Sequence, residues 1–385
     1  IYYDKSNSRH SLRTRFYRVS NRFVDDPAKD NGSDMYYGEY QFYKQIRGKL
    51  NLTAGMMGMY GVTNAELYGD HYNSNIALFT QFDYAFSKRF SASLGLRWEH
   101  YTLDNSERES SPVVRAGLNY KATASTFLRA SFGQGYRFPS IAEKYTATTV
   151  GSLNIFPNPL LQPETGWSAE IGAKQGLVFG EWKGMADVAA FWTEYQDMIE
   201  FTFGVWLDDS TQVPTLDDLG FKSLNVGEAR INGIDINFSG SGQAGRLPLV
   251  FFAGYTWMNP VDLSSDTLEN NILKYRYRHS VKGDVEINPG KFSAGITFLY
   301  NSFMERIDEA FEATIVGVEI FPGLKDYRLE NNTGAFMMDL RFAYQLAASV
   351  RLSLLARNLL NKEYMGRPGD IQPPRNITFR VQVKL

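Results

Sequence analysis

The chain has 385 residues, of which 43% are apolar and 21% charged, and its formal net charge is −2. A charge so close to balance gives no reason to expect nucleic acid as a partner. The absence of cysteine excludes disulfides and thiolate chemistry. No run of about 18 apolar residues occurs, which excludes a membrane-spanning helix. The mean hydropathy of −0.32 still allows a transmembrane β-barrel, because a barrel strand carries apolar side chains only at alternate positions.

Taken from the amino terminus, the chain shows alternation of apolar and polar residues again and again, and helical periodicity is nowhere sustained. We count 16 candidate strands of roughly 10 to 14 residues, a length that suits a tilted membrane crossing. They are predicted to begin near Ser11, Met35, Lys49, Asn75, Arg89, Val113, Ser125, Gly166, Trp182, Leu224, Pro248, Tyr275, Lys291, Ala335, Ser349 and Asn376.

The connections between these strands alternate in length. Short turns are predicted near Arg47–Gly48, Ser87–Lys88, Lys121–Thr123, Phe179–Gly180, Gly240–Gly245, Asn288–Gly290 and Ala347–Ala348. Long loops are predicted over Val24–Ser33, Gly61–Asn73, Asp104–Ser111, Arg137–Thr165, Phe201–Phe221, Asn259–Lys274, Ser302–Gly334 and Lys362–Arg375. Outer-membrane barrels have short periplasmic turns and longer outer loops, so this parity predicts an antiparallel up-and-down barrel with its carboxyl terminus in the periplasm. The alternative is a soluble β-sandwich built from repeated hairpins.

The two faces of the predicted strands differ in character. One face is Leu, Phe, Val, Ile and Ala, while the other carries charges of both signs, which are costly against lipid and are therefore expected to face the lumen. A lining of mixed sign suits a polar plug better than an ion-selective pore. The lumen residues are Arg97, Glu99, Arg129, Glu170, Lys174, Lys282, Asp284, Asp339, Arg341, Arg351 and Arg380.

Three segments carry a family resemblance. The first contains Tyr136-Arg137-Phe138-Pro139, then Asn158-Pro159-Leu160-Leu161-Gln162-Pro163-Glu164, and then Glu170-Ile171-Gly172. The second is Asn358-Leu359-Leu360-Asn361-Lys362-Glu363-Tyr364, followed by Pro373-Pro374-Arg375 before the last strand. A weaker third segment is Asn225 with Ala229-Arg230-Ile231-Asn232-Gly233-Ile234-Asp235. Together they resemble the barrel of TonB-dependent outer-membrane receptors.

The resemblance implies a barrel of 22 strands that encloses a plug and works with TonB. Because we find about 16 strands, residues 1–385 are expected to form a single barrel domain, the carboxyl-terminal part, with the plug and first strands outside this sequence. The motif residues are expected to be mainly structural, with Arg137 paired to Glu143, Glu164 or Glu170 at the rim and prolines fixing the chain where it leaves the sheet. This structural set is Arg137, Pro139, Glu143, Asn158, Pro159, Pro163, Glu164, Glu170, Asn358, Tyr364 and Arg375.

The resemblance also implies active import of a scarce nutrient across the bacterial outer membrane, most simply an iron chelate of the siderophore type. Aromatic residues of the outer loops could stack on a flat ligand. The candidate ligand-binding residues are Arg137, Tyr145, Trp206, Phe303, Phe311 and Tyr327. Loop acids such as Asp208, Asp209 and Glu312 could instead bind a cation or bridge lipopolysaccharide. Expected partners are outer-membrane lipid or lipopolysaccharide, TonB and the small-molecule ligand.

No cofactor, metal site or enzymatic activity is predicted. The four histidines, His10, His71, His100 and His279, form no ligand motif. Haem is disfavoured because no histidine lies between Ser140 and Pro157, where haem-type family members place one. No nucleophile elbow, zincin motif or P-loop occurs. Two other functions stay open: a passive porin, and a receptor-derived barrel that serves as a structural or binding partner in an envelope complex.

Overall fold

The computed structural model describes residues 1–104, 107–150, 153–207, 215–264, 271–315 and 318–384, and β-strands dominate it. The strands are β1 Tyr2–Tyr3, β2 Arg9–Asn21, β3 Asn31–Ile46, β4 Leu50–Ala65, β5 His71–Ala85, β6 Phe90–Leu103, β7 Glu107–Lys121, β8 Thr126–Arg137, β9 Thr148–Val150, β10 Leu153–Phe156, β11 Glu164–Phe179, β12 Trp182–Gln196, β13 Ile199–Val205, β14 Leu219–Asn225, β15 Ala229–Ala244, β16 Leu247–Asp262, β17 His279–Ile287, β18 Phe292–Asn301, β19 Thr314–Ile315, β20 Val318–Glu319, β21 Ala335–Ala347, β22 Val350–Arg357 and β23 Asn376–Val383. The helices are α1 Ile141–Tyr145 and α2 Leu324–Glu330, with 3-10 turns at Pro27–Lys29, Leu216–Asp218 and Glu309–Phe311.

The chain forms two compact units. Unit 1 comprises Ile1–Tyr120, Arg129–Ala169 and Thr193–Glu228, and unit 2 comprises Lys121–Leu128, Glu170–Trp192 and Ala229–Leu385. In unit 1, β2 to β7 pair in sequence order as an antiparallel meander. In unit 2, β15 to β18 and then β21 to β23 do the same. The prediction of an antiparallel, all-β, up-and-down fold is confirmed.

All 16 predicted strands are present, as β2 to β8, β11, β12, β15 to β18 and β21 to β23. The strand predicted from Leu224 begins at Ala229 instead, because residues up to Asn225 belong to a separate loop strand. All seven predicted turns have a counterpart, but the one predicted at Gly240–Gly245 is shorter, because β15 continues to Ala244 and β16 begins at Leu247. At Arg47–Gly48 both residues have positive φ, as a tight hairpin turn with the right-handed strand twist requires. Below, the end of each strand at these turns is called the short-turn end, and the opposite end the long-loop end.

Two predicted long loops are shorter than expected. β4 continues to Ala65 and β5 begins at His71, while β6 reaches Leu103 and β7 begins at Glu107. Backbone hydrogen bonds continue these hairpins beyond the apolar alternation, since an antiparallel ladder does not depend on side-chain polarity. Two other predicted loops, Arg137–Thr165 and Phe201–Phe221, contain regular structure. β9 and β10 of the first and β13 and β14 at the ends of the second form a four-stranded sheet, in which β10 pairs with β14 in parallel.

The faces of the long strands alternate as predicted. On β6, Leu94, Leu96 and Trp98 are 42–44% exposed. Arg97 and Glu99 both lie on the opposite face of the strand and form an ion pair with a 2.5 Å separation. On the last strand every residue is exposed, Phe379 and Val381 by 64% and 54%, so exposure does not distinguish its two faces. Large apolar side chains in such regular exposure suit a hydrocarbon solvent rather than water. The helices in the described part of the chain are too short and too polar to serve as membrane spans.

Aromatic residues mark both ends of this apolar face in unit 1. At the short-turn end of the β5–β6 hairpin, Phe86 contacts Tyr84 and Phe90 at centroid distances of 4.7 and 5.2 Å. Toward the long-loop end, Trp98 stacks with His100 at 6.0 Å. Unit 2 has a similar pair, in which Tyr255 and His279 stack and are joined by a 2.9 Å hydrogen bond. Among these residues, Tyr and Trp combine an apolar ring with a polar atom, which suits the interface between lipid and water.

The charged face of unit 2 has Arg341 at its centre. Its guanidinium is 2.6 Å from Asp284 and 2.9 Å from Glu286, and it donates to the Thr297 hydroxyl at 2.8 Å. Gly295 makes room for this arrangement, because a Cβ there would lie 2.5 Å from the Arg341 Cζ. Strands β17, β18 and β21 are thereby joined through side chains as well as backbone.

Candidate functional site

In unit 1, the segment after β8 begins with a well-defined helix start. Ser140 caps α1 by accepting a 3.2 Å hydrogen bond from the Glu143 backbone N–H, and the Glu143 carboxylate accepts one of 2.7 Å from the Ser140 N–H. This reciprocal capping box satisfies two donors that the helix itself cannot. Pro139 precedes the cap and prevents β8 from continuing its ladder.

Arg137, the last residue of β8, joins this helix to the neighbouring strand. Its Nη1 lies 2.8 Å from Glu143 Oε2, and its Nε lies 2.7 Å from Glu164 Oε1 at the start of β11. The second Glu164 oxygen accepts a 3.0 Å hydrogen bond from the Ile199 N–H at the start of β13. The predicted role of Arg137 as a rim anchor therefore has two of its three suggested partners, Glu143 and Glu164. Glu170 lies further along β11.

These contacts lead to a pH prediction for Glu143. Burial raises its pKa, but hydrogen bonds from Arg137 and Ser140 outweigh burial, so the pKa is lowered from its ordinary value of 4.5. A lowered pKa means that the carboxylate contributes stability above pH 4.5, which is lost as the pH falls through the lower native pKa. We expect hydrogen-exchange protection of α1 to persist at about pH 5 and to be lost progressively below about pH 4. In Glu143→Gln this acid-dependent step should be absent; an unchanged step would contradict the assignment.

The rest of this loop is anchored by side-chain amides. Asn158 donates to the Ser223 carbonyl at 2.8 Å, and Asn225 both accepts from the Gln162 N–H at 2.9 Å and donates to the Gln162 carbonyl at 3.0 Å. Pro159 and Pro163 line a small neighbouring cavity of about 230 Å³ together with the buried Lys144. These motif residues therefore fix the loop against the four-stranded sheet.

Two of the candidate ligand-binding aromatics in unit 1 are engaged within the protein. Tyr145, at the end of α1, stacks on His71 at a centroid distance of 4.0 Å. Trp206 donates from Nε1 to the Gly220 carbonyl at 2.9 Å, and the Lys222 ammonium lies 5.4 Å from the centroid of its ring. A ligand contact for either ring stays a prediction.

Unit 2 contains a cavity of about 500 Å³ between the loop 302–334 and the last loop. This volume is in the range of small-molecule sites. One wall is aromatic and aliphatic, and includes two predicted ligand-binding residues, Phe303 and Tyr327, with Leu324 and Met337. The other wall comes from residues 362–372 and includes the motif residue Tyr364. Phe311 is not part of this lining; it packs on Phe321 at 4.7 Å.

Some of the polar side chains that line the cavity are held by contacts within the protein. Arg328 is 2.7 Å from Glu312 and lies 4.7 Å from the centroid of the Phe303 ring. Burial raises the pKa of Tyr327, and the neighbouring Glu363 carboxylate raises it further, so the phenol remains a hydrogen-bond donor at neutral pH. Among the described residues, no ion pair is found for Lys362 or Arg367 on the opposite wall. The cavity thus offers apolar rings, phenols and two cations without an ion pair, Lys362 and Arg367, beside the acidic Glu363 and Asp370.

The loop acids are largely committed to internal contacts. Glu305 pairs with Arg278 at 2.7 Å and Asp308 with Lys274 at 2.9 Å. Asp218 accepts hydrogen bonds from the Thr215 N–H and hydroxyl. Asp208 and Asp209 lie outside the described residues. Within the described ranges, no group of three or more His, Cys, Asp or Glu side chains could hold a metal ion.

The family of the chain follows from a comparison of its sequence with family profiles. The profile described as "TonB dependent receptor-like, beta-barrel" matches residues 2–359. The chain belongs to this receptor family. The match covers the Arg137 segment and the whole of the Asn225 segment, and it extends to Asn358 and Leu359 of the closing segment. It confirms the resemblance and, with the strand pattern, the transmembrane β-barrel fold.

Solved structures of TonB-dependent receptor type share this fold. The Serratia marcescens hemophore receptor HasR, in complex with its hemophore HasA and heme, has 16% identity and a TM-score of 0.64 over 98% of this chain and 66% of that one. The copper transporter OprC has 16% identity and a TM-score of 0.68 over 98% and 64%. The ferric enterobactin receptor PfeA from Pseudomonas aeruginosa has 14% identity and a TM-score of 0.70 over 98% and 59%. The chain thus spans about three fifths of their length. No protein with a curated description matches the sequence.

In this receptor barrel, Asn358 is a buried residue with φ +47° at the start of the last loop. Its backbone N–H donates to Asp339 at 2.9 Å, and its side chain both accepts from the Lys362 N–H at 2.9 Å and donates to the Lys362 carbonyl at 2.9 Å. Further along the loop, the Arg375 N–H donates to Asn361 at 2.9 Å. These contacts agree with the predicted structural role of Asn358 and fix the start of the last loop.

Two replacements of Asn358 distinguish the cost of its positive φ from the contribution of its side-chain hydrogen bonds to stability. Asn358→Gly relieves the positive φ but loses the side-chain bonds, whereas Asn358→Ala suffers both losses and should be less stable by about 1 kcal/mol relative to glycine. Both variants should lose protection in residues 358–375, measured by hydrogen exchange. Equal stability of the two variants would show that the backbone conformation at this position costs nothing.

Several features of the receptor were not predicted from sequence. The four-stranded loop sheet has one detectable signal, the alternation of Ile199, Phe201, Phe203 and Val205. The stacking of His71 on Tyr145, and the buried Lys144, have no local sequence signal because their partners come from distant segments.

Proposed function

We propose that the complete protein is a TonB-dependent importer of the bacterial outer membrane that takes up a small, scarce ligand, most simply a ferric siderophore. Membership in the receptor family supports this proposal, and so do similar structures whose names include siderophore, hemophore and copper proteins. The long loops lie outside and the carboxyl terminus lies in the periplasm. The proposal includes a plug that fills the lumen and contacts TonB.

The observation that carries the ligand proposal is the cavity lined by Phe303, Tyr327 and Tyr364. Flat rings and phenol donors bind the flat catecholate rings of an anionic ferric chelate by stacking and hydrogen bonding, and Lys362 and Arg367 supply opposite charge. Arg137 and Tyr145 are proposed contacts from the loop 138–163, in addition to the role of Arg137 as an anchor.

The decisive experiment measures uptake in cells that carry the full gene. Deletion strains complemented with wild type should accumulate radioactive iron supplied as ferric enterobactin, and uptake should require an intact TonB. Heme and Cu²⁺ are supplied in parallel as alternative probes. Tyr327→Ala should lower uptake, whereas Tyr344→Ala, on the exposed apolar face of β21, should not.

The outcomes separate the other functions. Uptake independent of TonB, with steady conductance of the purified protein in planar bilayers, would identify a passive porin. Failure to take up any of the three probes, together with stable co-purification of envelope proteins, would identify a structural or binding partner instead.

A further inference from the structure

The short-turn end of β3 to β6 in unit 1 carries a group of exposed cations. Arg47 and Lys49 lie in the turn between β3 and β4, and Lys88 and Arg89 lie in the turn between β5 and β6. The two turns are neighbours, because the Ala85 N–H donates to the Lys49 carbonyl at 2.8 Å. All four cationic side chains are exposed. These four residues are called the basic cluster below.

Within the described residues, the basic cluster has no internal counter-ion. None of its side chains forms an ion pair with a carboxylate there. The acids on the adjoining segments are already engaged: Asp83 accepts from the Gln81 amide at 2.9 and 3.1 Å, and Asp4 accepts from the Ser6 and Ser8 N–H groups at 2.8 Å. Because like charges in neighbouring turns repel one another, we expect an external anion to neutralise them.

Aromatic residues place the basic cluster at the level of lipid head groups. Tyr84 and Phe86, next to the β5–β6 turn, are 38% and 54% exposed, and Phe86 packs against Phe90 at 5.2 Å between centroids. Such rings mark the interface between hydrocarbon and water. Lysine and arginine at this level can keep their apolar stems against lipid while their charged groups reach the phosphates.

The opposite end of the same strands is different. At the long-loop end, Arg18 is 2.6 Å from Asp34, and Lys29 is 3.0 Å from Asp26. The turn between β4 and β5 carries the acids Glu66 and Asp70. Charges of both signs are therefore present at the long-loop end, whereas the two turns of the basic cluster contain cations alone.

Unit 2, taken by itself, shows the same tendency at its short-turn end. The turn between β15 and β16 contains Arg246, and the turn between β17 and β18 ends at Lys291. Glu181, between β11 and β12, is an acidic exception. The excess of cations thus recurs in turns that are far apart in the sequence.

We propose that the basic cluster binds the phosphate groups of anionic phospholipids in the leaflet at the short-turn end. Phosphate oxygens accept hydrogen bonds from guanidinium and ammonium groups alike. A phosphatidylglycerol head group brings a negative charge without a cation of its own, whereas a phosphatidylcholine head group already contains one. Lipid is favoured over an acidic protein because of the adjacent aromatic rings. The inference needs the transmembrane barrel but not the proposed import.

The test compares two spin-labelled lipids around the purified full-length protein in phosphatidylcholine vesicles. One probe has a phosphatidylglycerol head group and the other a phosphatidylcholine head group. Electron paramagnetic resonance separates the motionally restricted lipid in contact with the protein from the mobile lipid of the bulk bilayer. At about 20 mM salt the protein should prefer the phosphatidylglycerol probe by about two- to fivefold, and this preference should weaken at about 500 mM salt because ions screen it.

Matched double variants make the assignment specific. Arg47→Gln with Arg89→Gln removes one cation from each turn and should lower the preference by about half, whereas Arg47→Lys with Arg89→Lys keeps the charges and should retain it. The control is Arg15→Gln with Arg115→Gln, which removes two other exposed cations that have no ion pair among the described residues. This control should behave as wild type.

Three results would overturn the proposal. Equal restriction of the two probes by the wild-type protein would mean that the cluster faces water or an acidic protein rather than anionic lipid. An equal loss in the control and in Arg47→Gln with Arg89→Gln would show that net charge alone matters. Loss of the preference when inorganic phosphate replaces chloride at constant ionic strength would identify a site for soluble phosphate. None of these results depends on whether the protein imports a ligand.

Discussion

Replacement of Arg341 by glutamine is expected to lower the free energy of unfolding by roughly 2–3 kcal/mol, the largest effect of any single change considered. The guanidinium neutralises Asp284 and Glu286 at 2.6 and 2.9 Å. Its removal leaves two carboxylates side by side without a cation, which costs more than the hydrogen bonds themselves contributed. The estimate is kept below that for fully buried pairs because about a third of each side chain is exposed.

The measurement is urea unfolding of the detergent-folded protein, followed by tryptophan fluorescence. Arg351→Gln is the matched control, since Arg351 lies in the same unit and makes one 3.2 Å hydrogen bond to Ser293; its cost should be less than about 0.5 kcal/mol. Adding Asp284→Asn and Glu286→Gln to Arg341→Gln should recover part of the loss, because the unpaired charges are gone. Equal losses for Arg341→Gln and Arg351→Gln would show that the network is energetically unimportant.

Arg137→Gln should produce the second-largest effect, confined to the segment after β8. The two carboxylates that Arg137 joins, Glu143 and Glu164, come from α1 and β11, so its loss frees one end of the loop rather than the strands. With Arg137 43% exposed, the local cost is about 1–2 kcal/mol. Hydrogen exchange of residues 138–163 should accelerate by roughly tenfold, while exchange in β3 to β6 stays unchanged.

The control for Arg137 is Arg13→Gln, which breaks one exposed ion pair, 3.3 Å from Glu39. No measurable change is expected there, because exposed pairs contribute little. If Arg137→Gln changed hydrogen exchange no more than Arg13→Gln does, the ion pairs of Arg137 with Glu143 and Glu164 would not stabilise the loop. A uniform acceleration across unit 1 would instead show that the loop and the strands unfold together.

The long strands could be predicted because a sheet between lipid and a polar interior imposes period two on every crossing. Each β6 residue from Phe90 to Glu99 obeys that rule, so its boundaries and faces are visible locally. Loop structure has no such solvent constraint. The parallel pair of β10 and β14 joins residues more than 60 positions apart. Because the two strands are not connected by a hairpin turn, no turn sequence predicts that they pair.

Part of the candidate site could also be predicted from the sequence. Arg137, Glu143 and Glu164 are close in sequence and of opposite charge, so pairing at the rim could be inferred. The cavity could not be inferred, since it brings Tyr277 to Gly366, 89 positions away. The sequence identified Phe303 and Tyr327 as aromatic residues of a predicted outer loop. Only the fold shows that they line the same cavity as Tyr364.

The aromatic pairs of the β5–β6 hairpin have a consequence for the surrounding bilayer. Ten residues separate Phe90 from His100 on β6, and at the usual rise and a tilt near 40° they span roughly 25 Å along the membrane normal. Lipids with longer acyl chains would have to compress around this protein to keep both rings at the headgroup level. Short-chain lipids should therefore be enriched in its annular shell.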